Sequence, residues 1–87
     1  MAIYTGQVTV GITPTAIDGA DRNPIRIHVH NLDNTRSIWV GAADVSSTTG
    51  FPLFKLDSLE LILNPNETLY AITDSGTVSL AYFKQVY

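Results

Sequence analysis

His28 and His30 come nearest, by type and spacing, to residues that could do chemistry. Two imidazoles at positions i and i+2 of an extended segment leave from one face, a spacing that chelates Zn²⁺ once a third ligand such as Asp33 or Asp44 arrives. A metal-dependent enzyme is the function such a pair would serve, but no third-ligand motif accompanies it, and the reading preferred is the plain one, two polar residues on the wet face of an amphipathic strand. Asp18-Gly19-Ala20-Asp21-Arg22-Asn23 has the ingredients of a calcium loop but lacks the alternating acidic order and the terminal bidentate Glu. Asn66-Glu67-Thr68 matches a glycosylation acceptor, yet without a secretory signal it reads as a turn. There is no cysteine, no serine in a nucleophile elbow and no glycine-rich phosphate loop. The expectation is a protein with no catalytic residues, no cofactor and no metal, not an enzyme.

The elements that must position any site are strands. Residues Gln7–Thr13 alternate, with Val8, Val10 and Ile12 on one side, until Pro14 ends the run. Ile25, Ile27 and Val29 alternate with Arg26, His28 and His30, and Asn31-Leu32-Asp33-Asn34 turns the chain towards Ser37–Gly41, which predicts a hairpin. Leu59, Leu61 and Leu63 form the next apolar stripe. Asn64-Pro65-Asn66-Glu67 is a turn, Thr68–Thr73 a strand, and Asp74-Ser75-Gly76 supplies a positive φ that closes a second hairpin onto Thr77–Val86, with Val78, Leu80 and Tyr82 facing inward. This gives six strands and a seventh near Phe51–Lys55, with long loops at residues 13–24 and 42–52 and no helix, repeat or linker. The fold class is all-β: a small antiparallel β-sandwich, jelly-roll or Greek-key-like, of six to seven strands. Residues 1–87 form a single β-sandwich domain, with 1–6 as an extended N-terminal arm.

Composition limits the partners. The formal net charge is −3 and the five Lys and Arg are scattered singly, so no basic stripe tracks a nucleic acid backbone. The N-terminal residues carry no positive n-region, and no apolar stretch approaches the roughly 18 residues of a membrane span. Eighty-seven residues with 45% hydrophobic and 15% charged content suit one ordered domain. A domain this small buries only about 60% of its unfolded surface. Without a disulfide or a metal, association is the remaining way to bury more.

The surplus is apolar. Trp39 and Ile62 fall on the parity opposite the core residues of their strands, and Tyr4, Phe51, Pro52, Phe54, Phe83 and Tyr87 lie in termini, loops or on minor faces. Aromatic residues on a weakly charged surface are the usual composition of an interface centre. These eight residues are the candidate protein interface, and the loop from Val45 to Pro52 is its first candidate binding edge.

Arg26-Ile27-His28-Val29-His30-Asn31, Ile38-Trp39-Val40-Gly41 and Val45-Ser46-Ser47-Thr48-Thr49-Gly50-Phe51-Pro52-Leu53 resemble, in that order, a small β-domain encoded by tailed bacteriophages. The resemblance continues through Leu59-Glu60-Leu61, Asn64-Pro65-Asn66-Glu67, Leu69-Tyr70-Ala71-Ile72 and Ser75-Gly76-Thr77-Val78, and so spans about Ile25 to Val86. It implies a virion structural protein of the capsid decoration or minor capsid family, made in the host cytoplasm and located on the outer surface of the assembled head. It implies bridging contacts with the major capsid protein and a homo-oligomer, with a trimer favoured over a dimer, and it supplies no catalytic residues. The alternative is a carbohydrate-binding or host-recognition module of a head or tail fibre, motivated by Trp39, Tyr70 and the histidine pair.

Overall fold

The computed structural model describes residues 2–17 and 23–86, all strand or loop. Met1, Asp18–Arg22 and Tyr87 lie outside the described residues, and with them most of the candidate calcium loop and one candidate interface residue. Eight strands follow in order: β1 (Ala2–Val10), β2 (Thr15–Ala16), β3 (Ile25–Asn31), β4 (Ile38–Gly41), β5 (Phe51–Leu53), β6 (Ser58–Leu63), β7 (Tyr70–Ile72) and β8 (Val78–Val86). They form two four-stranded antiparallel sheets, ordered β1-β8-β3-β6 and β2-β7-β4-β5. The pairs β1·β8, β2·β7, β3·β6 and β4·β5 are nested, so the chain is one long two-stranded ribbon with its tip at residues 42–50. Rolling that ribbon brings β3 against β8 and β4 against β7. This is the jelly roll, the first of the two topologies expected.

Nesting overturns both expected hairpins beside β3 and β8. β3 and β4 belong to different sheets, as do β7 and β8, so Asn31–Asn34 and Asp74-Ser75-Gly76 carry the chain across the sandwich instead of back along a neighbour. Gly76 takes the expected positive φ, at 63°, and the Asn64–Glu67 turn also holds Asn66 at φ 66°, which the sequence did not announce. A turn residue dictates a bend, whereas the sheet that receives the chain is decided by which apolar face must be covered. The β4–β5 connection is a true hairpin.

The strand count also exceeds expectation. β2 has two residues, too few to display a period, and is held by pairing with Tyr70 and Ala71. β5 is the anticipated seventh strand, ending at Leu53. β1 starts well before Gln7, so residues 2–6, read as an arm, pair with residues 82–86 of the same chain. It also stops at Val10, which leaves Ile12 exposed in the turn instead of in the core.

The core lies between the sheets. β3, central in the first sheet, contributes Ile25, Ile27 and Val29, and β8 contributes Val78, Leu80 and Val86. Ile38, Val40, Leu53 and Ala71 face them from the second sheet. Leu59 and Leu61 are partly buried because β6 is an edge strand, and Leu63 is buried. Tyr82 packs against the core and lies over Gly6, its cross-strand partner: a Cβ at Gly6 would come within 2.8 Å of the Tyr82 hydroxyl oxygen. A side chain at position 6 would have to push the ring aside, because the ring occupies its space.

Candidate interaction surface

The outer face of the first sheet is built from residues of one parity on four strands. Its cross-strand rows are Ile3–Gln85–Arg26–Ile62 and Thr5–Phe83–His28–Glu60. Ile3, Ile62 and Phe83 are exposed, and between them the Arg26 Nε stands 3.6 Å and the His28 Nδ1 3.9 Å from the Glu60 carboxylate. His30 Nδ1 is 3.4 Å from Ser58 Oγ. The two histidines therefore share a face, as their spacing predicts, with one acidic neighbour. Among the described residues no group of three or more His, Cys, Asp and Glu gathers to hold a metal ion. Asp33 is committed elsewhere: Thr35 and Arg36 donate their backbone N–H, and Thr35 its hydroxyl, to Oδ1. The backbone bond from Thr35, then that from Arg36, hold its carboxyl below the usual carboxylate range. Asp44 sits on the β4–β5 connection of the other sheet.

The second sheet presents Trp39 between Pro52 and Ile72 on its outer face, all three partly buried. Gly50 lies directly against Trp39 and Val45, so residues 45–50 fold back onto the sheet. The Ser46 hydroxyl meets those of Thr48 and Thr49, and Thr49 Oγ1 accepts the Ser46 N–H. The loop read as a binding edge thus spends much of its polar capacity on itself, while Phe51 remains exposed at its end. Tyr4 is exposed on β1, with the Lys84 ammonium 4.9 Å from its ring centroid.

One end of the roll gathers four connections. Gly11 O accepts from Thr73 N, Asp33 O from Leu56 N, Ser37 O from Thr73 Oγ1, and Ser75 O from Arg36 Nη1. Loops 11–14, 32–37, 54–57 and 73–77 therefore form a single cap. Asn31, wholly buried, is its keystone: Nδ2 donates towards Arg36 O, Leu53 O and Phe54 O at 2.9–3.2 Å, and Oδ1 accepts from Asp33 N. On this hydrogen-bonded base stand Ile12, Leu32, Phe54 and Leu56, each at least 39% exposed.

Of the eight candidate interface residues, Tyr4, Phe51, Phe54, Ile62 and Phe83 are exposed, Trp39 and Pro52 are partly buried side by side, and Tyr87 lies outside the described residues. They do not converge. Ile62 and Phe83 are on the outer face of the first sheet, Trp39, Pro52 and Phe51 on the second sheet, and Phe54 at the cap. The cap cluster was missed because Ile12 read as a core position and Leu32 as part of a polar turn. Leu56, at φ 57°, gave no periodic signal.

No family model matches the chain, and no curated protein matches it. Among solved structures, a chain of the disulfide-linked pili formed by Bacillus endospore appendages is similar. The TM-score is 0.57 over 98% of this chain and 85% of that chain, at 9% identity. At that identity the likeness is one of fold. The 87 residues here contain no cysteine, so a disulfide link is not part of it.

Proposed function

We propose that this protein is a virion structural protein, a decoration protein that docks on the outer surface of a phage head and bridges subunits of the major capsid protein. The observation that carries the reading is the cap, where four large apolar side chains from three loops stand in water at one end of a small domain. Exposed clusters of this kind mark protein-binding surfaces. The jelly roll is an architecture that capsid and lectin domains both use, which is compatible with the reading but does not select it. The order of motifs between Ile25 and Val86 points to the capsid member of that pair. Seating Ile12, Leu32, Phe54 and Leu56 against the shell would gain about 25 cal/mol per Å² of apolar area, offset by the entropy of docking. Many copies on a symmetric shell would multiply a modest contact.

Purified protein mixed with undecorated heads is expected to co-sediment at saturating stoichiometry. The double variant Phe54→Ser with Leu56→Ser, changed at two solvent-facing positions, should keep its melting temperature within a few degrees and lose most of this binding. Failure of the folded wild-type chain to co-sediment rules out decoration. Binding that survives in the double variant moves the docking surface away from the cap.

A further inference from the structure

A sheet edge exposes a row of unpaired N–H and C=O groups, and folded proteins guard such edges with shortness, charge or proline. Three of the four edges here are guarded. β2 is two residues long and follows Pro14, β5 is three residues long with Pro52 inside it, and β6 carries Glu60 and runs into Asn64-Pro65. β1 is different. It runs for nine residues, Ala2 to Val10, without a charged residue or a proline, and among the described residues β8 alone pairs with it.

We infer that the free edge of β1 is a homodimer interface, taking β1 of a second copy of this chain in antiparallel register about Gly6. The strand is pseudo-palindromic around that glycine, and a register centred there is the one that pairs all nine residues. Thr5 then stands opposite Gln7 of the partner copy, Tyr4 opposite Val8 and Ile3 opposite Thr9. Polar residues meet polar, the phenol meets an aliphatic side chain, and two β-branched residues meet. The positions of one parity stay on one side, so the two first sheets fuse into a continuous eight-stranded sheet with both cores on the same side. No charge is brought against a like charge. Because the contact is isologous it closes as a dimer and does not propagate into a fibre. It does not depend on capsid docking, since it needs no shell, and it replaces the trimer with a two-fold pair as the basic oligomer.

The test is sedimentation equilibrium of the full chain alone over a dilution series, with three sequences. Wild type is expected to show a monomer–dimer equilibrium. Thr5→Lys with Gln7→Lys sets lysine opposite lysine twice and should weaken association at least tenfold, while Thr5→Lys with Gln7→Glu sets lysine opposite glutamate and should restore it. Both positions are solvent-facing in the single chain, and an unchanged Trp39 emission checks that each variant is folded. Hydrogen exchange gives a readout on the wild type alone: β1 amides should gain protection as concentration rises. The inference is overturned by a wild type that stays monomeric throughout, by a double-lysine variant that dimerises like wild type, by an open series of larger species, or by β1 amides indifferent to concentration.

Discussion

Asn31 shows how much one side chain can hold when it is buried and fully used. Its amide ties the β3–β4 turn to the end of β5, and every polar atom it presents is engaged. Replacing it with leucine would leave three carbonyls and the Asp33 N–H without that partner, the Leu53 carbonyl in a buried setting and the others in a partly buried one. A buried polar group stranded in this way costs about 1–3 kcal/mol. Asn31→Leu should therefore lose about 3 kcal/mol or more in urea unfolding, and a loss below about 0.5 kcal/mol would show that water replaces the amide. The sequence marks Asn31 only as a turn residue, because an asparagine that bends its own chain and one that bridges distant loops look the same without knowledge of what lies across the turn. The histidine pair is the opposite case. Alternation placed His28 and His30 correctly on one wet face, since that depends on period alone, but their neighbours Glu60 and Ser58 come from β6, about thirty positions away, and could not be read.

Elements were legible in proportion to their length and to the contrast between their faces. β3 and β8 alternate cleanly against a core and were placed within a residue or two. β2 and β5 owe their existence to partners, and the path of the chain between sheets is written in no local pattern. The β4–β5 connection illustrates this. Its serines and threonines suggest a solvated binding loop, yet Gly50 brings it down onto Trp39 and Val45. A Cβ at Gly50 would lie 2.7 Å from Trp39 Cβ and from Val45 Cγ2, and 3.0 Å from Ser46 O. None of these is the far end of a flexible side chain, so the loop itself must lift. Gly50→Ala is expected to cost about 1–3 kcal/mol, the usual range for overpacking a filled site, and to shift Trp39 emission to longer wavelength as the indole loses its cover. An alanine variant with wild-type stability and emission would mean that the loop does not rest on the tryptophan.

At the scale of the whole molecule, nesting leaves neither half of the chain with a sheet of its own. The first sheet draws β1 and β3 from the N-terminal half and β6 and β8 from the C-terminal half, and the second is divided the same way. Ala2 pairs with Val86, so the pairing farthest apart in sequence belongs to the same sheet that supplies half the core. Neither sheet can bury its apolar face without the other, and both must therefore be lost together. The chain has one tryptophan, on the second sheet, while far-UV circular dichroism reports both sheets. The two signals should trace one urea transition with the same midpoint and slope, and refolding should take milliseconds to seconds, as for other small domains dominated by non-local pairing. Separated midpoints would show that one sheet survives without the other, which this topology does not allow. The common midpoint should also rise with protein concentration if copies pair along β1, because association stabilises the folded chain by mass action. A single transition that moves with concentration in the wild type, and stands still when lysines occupy positions 5 and 7, would join the closure of the roll to the edge that it leaves open.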